Sequence, residues 1–87
     1  MPIHSHQFVE TYDGLVGFGA DRATDEATIM VYLQKFSDDA LLKHIVHRLT
    51  DTELAEIFDL INRLMVTHFS EAEYHRLFLK DNHHDDG

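Results

Sequence analysis

Between Asp25 and Leu79 the apolar positions recur with a period near 3.6 residues rather than 2, the signature of helices packed on one side. Ile29, Tyr32, Leu33 and Phe36 stand at i, i+3, i+4 and i+7 and predict a helix over about 25–36. Thr24 is its expected N-cap, and Glu26 lies in the first turn, where the helix dipole favours an anion. A second helix over about 38–49 carries Leu41, Leu42, Ile45, Val46 and Leu49, with Ser37 as the expected cap. Thr50-Asp-Thr-Glu53 has the capping-box form and opens a third helix over about 51–69. Its stripe is Leu54, Ile57, Phe58, Ile61, Leu64, Met65 and Phe69. Ser70-Glu-Ala-Glu73 is a second capping box. At 100° per residue the stripe stays in phase from Leu54 to Phe69, whereas Tyr74, Leu77 and Phe78 would leave it. A break at Ser70 and a new helix over about 71–79 put those three on a face of their own.

Phe8 and Tyr12, at i and i+4, predict a short helix over about 6–12 capped by Ser5. The stretch 14–20 reads as an apolar glycine-rich loop, and 81–87, without an apolar residue, as a structureless acidic and histidine-bearing tail. The fold expected is all-α: a small domain of four to five helices over 1–80, built as two helical hairpins packed together by short corners.

Composition narrows the functions open to such a domain. Sixteen acidic against seven basic residues give a net charge of −9. That balance excludes nucleic-acid binding, which needs a basic footprint, and argues against an anionic membrane surface. The apolar runs are far too short for a membrane span, and the first ten residues lack the form of a signal peptide, so a cytoplasmic address is expected. Without cysteine there is no disulfide, thiolate nucleophile or cysteine-ligated metal.

Eight histidines are the unusual feature. His44 and His47 are three residues apart on the outer side of the second predicted helix, a spacing from which two imidazoles can meet one ion. A carboxylate such as Glu53 or Glu56 would have to complete a site for a divalent metal such as Zn or Ni. His68 lies within the apolar arc of the third helix and is a further candidate ligand, although a hydrogen-bonded core histidine is the simpler account. The pairs His4/His6 and His83/His84 sit near the two ends of the chain. Protonating all eight would move the charge from −9 to −1. A di-iron bundle is disfavoured, because no glutamate is followed three positions later by histidine. Gly14, Gly17 and Gly19 do not make a phosphate loop: the Gly-Lys-Ser/Thr ending is missing and Asp25 and Glu26 follow. Ser37 and Ser70 read as caps rather than nucleophiles, so no catalytic constellation emerges and no enzyme is expected.

What remains is surplus apolar surface. Met30 and Val31 lie off the stripe of the first long helix, Leu60 and Val66 off that of the third, and Phe18 in the glycine loop. These five residues are the expected interface of a self-associating or partner-binding module, with no cofactor. A histidine-based metal-binding or pH-responsive protein is the alternative.

Overall fold

The structure is a computed structural model describing residues 3–19 and 21–81; most of the predicted tail, 82–87, lies outside the described residues. Those residues form helices and no strand, so the chain is all-α as its periodicity predicts. The elements are α1 (Gln7–Thr11), α2 (Arg22–Phe36), α3 (Asp39–Ile45), α4 (Asp51–His68) and α5 (Glu71–Glu73). A 3-10 turn, Val46–Arg48, closes α3, and a wider π-helical stretch, Tyr74–Leu79, prolongs α5. The contacts separate two compact units, Met1–Arg48 and Leu49–Gly87.

In the first unit α1 packs on α2. Asp21 begins α2 three residues before the predicted start. Its carboxylate accepts the Thr24 N–H at 2.8 Å and the Thr24 hydroxyl at 3.1 Å. Thr24 is therefore a donor to the cap rather than the cap itself. The same two bonds, that from the Thr24 N–H above all, hold the Asp21 carboxyl below its ordinary pKa.

Two predicted caps change owners. Ser5 gives α1 no cap; its N–H donates to Asp38 Oδ1 at 2.7 Å and its Oγ accepts the Asp39 N–H at 3.2 Å. The N-cap of α3 is Asp38, which also accepts the Ala40 N–H at 3.3 Å. Ser37 instead ends α2, with its Oγ 2.9 Å from His6 Nε2. The N-terminal segment thus fastens itself to the α2–α3 corner through polar groups.

The buried face of α2 is not the predicted one. Thr28 and Val31 are buried on it, with Val9 on α1, whereas Ile29, Tyr32, Leu33 and Phe36 are exposed. Ile29, Leu33 and Phe36 centre roughly 160° around the helix from Val31. Polar fastening explains the rotation. The Val9 N–H donates to Gln34 Oε1 at 2.9 Å, the Gly17 N–H to Thr28 Oγ1 at 3.0 Å, and Thr28 Oγ1 in turn to Thr24 O at 2.7 Å. Satisfying those backbone donors turns the Thr28–Val31–Gln34 side toward α1. Gly19, at φ 102°, lets the glycine loop turn back so that its N–H reaches Asp25 Oδ1 at 2.7 Å.

In the second unit both capping boxes form. Thr50 N–H donates to Glu53 Oε1 at 2.9 Å and Glu53 N–H to Thr50 Oγ1 at 3.1 Å. Ser70 and Glu73 repeat the exchange at 2.8 and 3.2 Å. Phe69 and Ser70 are extended (φ −108°, ψ 141° and φ −75°, ψ 166°), which breaks the helix there. Past the break the Tyr74 and Phe78 rings stack at 5.5 Å. Lys80 closes the segment in the left-handed region (φ 57°), and the Asp81 N–H donates to His75 O at 3.2 Å.

Candidate interaction surface

The dominant surface feature follows from what α4 lacks within its own unit. No described residue of that unit is buried. Thr50 and Glu53 fix where α4 starts, and from there the 3.6-residue pitch lines up Leu54, Ile57, Ile61 and Leu64. These four are 41%, 37%, 44% and 43% exposed, a uniform half-covered row. Phe58 beside it is 68% exposed, and Phe69 continues the row at the corner. The acids Glu56 and Asp59 lie on the opposite side of the cylinder. The helix is thus apolar along one side and acidic along the other.

Beside the row, at the α4–α5 corner, a shallow cleft of about 370 Å³ is lined by Asn62, Met65, Val66, Phe69, Ser70, Glu71 and Tyr74. The first unit presents its own exposed row, Ile29, Leu33 and Phe36, with a cleft of about 540 Å³ against Phe18 and Met30.

Of the five residues predicted as interface, Met30, Leu60, Val66 and Phe18 are exposed. Val31 is not available: it is 5% exposed and belongs to the core, because the polar fastening of α1 turned its side of α2 inward. Apolar spacing places the stripes of α2 and α4 in the core, whereas most of their residues are exposed. Their exposure has no signal in the periodicity, which reports that a face will be covered and not by what.

His44 is exposed on α3, His47 on the 3-10 turn after it, and His68 in the last turn of α4. Among the described residues no three histidine or carboxylate side chains gather as a metal site would require. Among them, too, no helix is long and apolar enough to cross a membrane. His75 Nδ1 stands 3.2 Å from Asp81 Oδ2 and ties the end of the π-helical stretch to the residue after Lys80.

Comparison with protein-family models, with curated proteins and with solved structures returned no match.

Proposed function

We propose that this protein is a protein–protein interaction module that self-associates, burying the apolar row of α4 in the contact. One observation carries the reading: the row Leu54–Ile57–Ile61–Leu64 is about 40% exposed throughout, and no other element of its own unit packs substantially against α4. A short chain buries a smaller fraction of its surface than a long one, so stability of such a module comes with association. The role is one of binding, with no reaction and no cofactor.

Charge gives the reading a test of direction. Two copies each carrying −9 repel, so raising salt should tighten their association. A basic partner held by the same acidic surface would be released by salt instead. Sedimentation velocity of the full chain over a hundredfold concentration range, at low and high salt, should show a dimer that grows with both. A monomer throughout overturns the proposal.

A further inference from the structure

We infer that the occupant of the α4 row is α4 of a second copy, running antiparallel over its full length; this rests on the self-association proposed above and specifies its geometry. In heptad terms Leu54 and Ile61 take position a, and Ile57 and Leu64 take position d. The flanking e and g positions, which face a partner helix, hold Phe58, Met65, Leu60 and Thr67. Their only charges, Asp51 and Glu53, lie in the first turn. The remaining acids of α4, Glu56 and Asp59, fall at c and f and point away from a partner. A chain of net charge −9 therefore meets its copy along a seam free of acids except at one end.

That end decides the direction. In a parallel pair Asp51 and Glu53 of both copies crowd together, and both copies of His68, at position a of the last turn, crowd at the other end. In an antiparallel pair each first turn lies beside the partner's last turn. The acids meet His68, and the positive end of one helix dipole meets the negative end of the other. Full overlap of the two 18-residue helices with a facing d sets Leu54 across from Leu64 of the partner and Ile57 across from Ile61.

Leu54, Ile57, Phe58, Ile61, Leu64 and Phe69 leave on the order of 500 Å² of side chain in water per copy, so pairing removes on the order of 1,000 Å². The area available reaches the floor for a specific interface when these six side chains are fully covered.

The chain has no cysteine, so introduced thiols report the orientation directly. Leu54→Cys and Leu64→Cys are made separately, mixed, and oxidised by a glutathione buffer. Tryptic cleavage after Arg63 separates the two positions for mass mapping. The antiparallel pair should give the 54–64 disulfide at least tenfold over 54–54 and 64–64. Each chain then carries a single thiol, so no intrachain bond can mimic it. Should either variant misfold by circular dichroism, isotope-filtered NOEs on a mixed labelled and unlabelled wild-type sample report the same pair, Leu54 to Leu64. Dominant 54–54 linkage means a parallel seam and overturns the inference. A protein that sediments as a dimer but shows neither contact overturns it while leaving self-association standing. A monomer overturns both.

Discussion

Replacing Ile61 by alanine deletes about three carbons at the middle of the α4 row. Burying one methylene is worth about 0.8 kcal/mol. Full transfer of those carbons would then amount to about 2.4 kcal/mol, but only the 44% of Ile61 still in water awaits burial by a partner. The loss is about 1 kcal/mol per copy and about 2 kcal/mol per symmetric pair, before any cavity left behind adds to it. At 1.4 kcal/mol per tenfold, the dimer Kd should rise about 30-fold. Alanine is the better helix former, so weaker association could not be blamed on a melted α4. Val66→Ala is the matched control. Val66 is 81% exposed, on the side of α4 away from the row, and its truncation should move Kd by less than about twofold. Sedimentation equilibrium at several loading concentrations gives both constants, with far-ultraviolet circular dichroism to verify helix content. An Ile61→Ala Kd within threefold of the parent, or equal damage from Val66→Ala, would refute the placement of the contact.

Three further outcomes test the local physics. Thr50→Ala and Ser70→Ala each remove a capping-box hydroxyl and should each cost about 1 kcal/mol, seen as a lower Tm; an unchanged Tm in both would mean the boxes do not hold these helix starts. Asp38 is held below its ordinary carboxylate pKa, first by the Ser5 N–H, then by the Ser5 hydroxyl and the Ala40 N–H. A lowered folded pKa contributes stability that is present above the ordinary value of 3.8 and is lost as pH falls through the lowered one. The Ser5 amide resonance should therefore be steady at neutral pH and shift only below about pH 4; a transition well above that would contradict the fastening to Asp38. Gly19→Ala places a side chain at φ 102° and should cost about 1–2 kcal/mol by chemical denaturation, while Gly17→Ala, which meets open space, should be nearly neutral; equal costs would contradict the loop geometry.

How far the fold was legible varies element by element. The capping boxes at Thr50 and Ser70 were readable because each needs only four adjacent residues, and the loss of phase at Tyr74, Leu77 and Phe78 marked the break between them. The starts of α2 and α3 are ambiguous from sequence, with Asp21 against Thr24 and Asp38 against Ser37. Ser37 and Asp38 lie side by side, and Asp38 is the one held by Ser5, 33 residues away in the chain. The turned face of α2 was hidden in the same way. Apolar spacing weighs Ile29, Leu33 and Phe36 and is blind to a backbone N–H at Val9 or Gly17 that must find Gln34 or Thr28. The π-helical widening at Tyr74–Leu79 has no sequence signal that we can name. For the surface, the row on α4 is visible residue by residue, but periodicity does not say what covers it. His44, His47 and His68 show the opposite limit: a spacing that permits a metal does not by itself name a third ligand.

Hydrogen–deuterium exchange of segment 51–68, followed as the full chain is diluted across its dissociation constant, puts the covered-row idea to the most direct trial. Amide protection along α4 should fall in step with dilution, while that of α2 around the buried Val31 stays level. Protection of α4 that ignores concentration would show that no second copy covers Leu54, Ile57, Ile61 and Leu64.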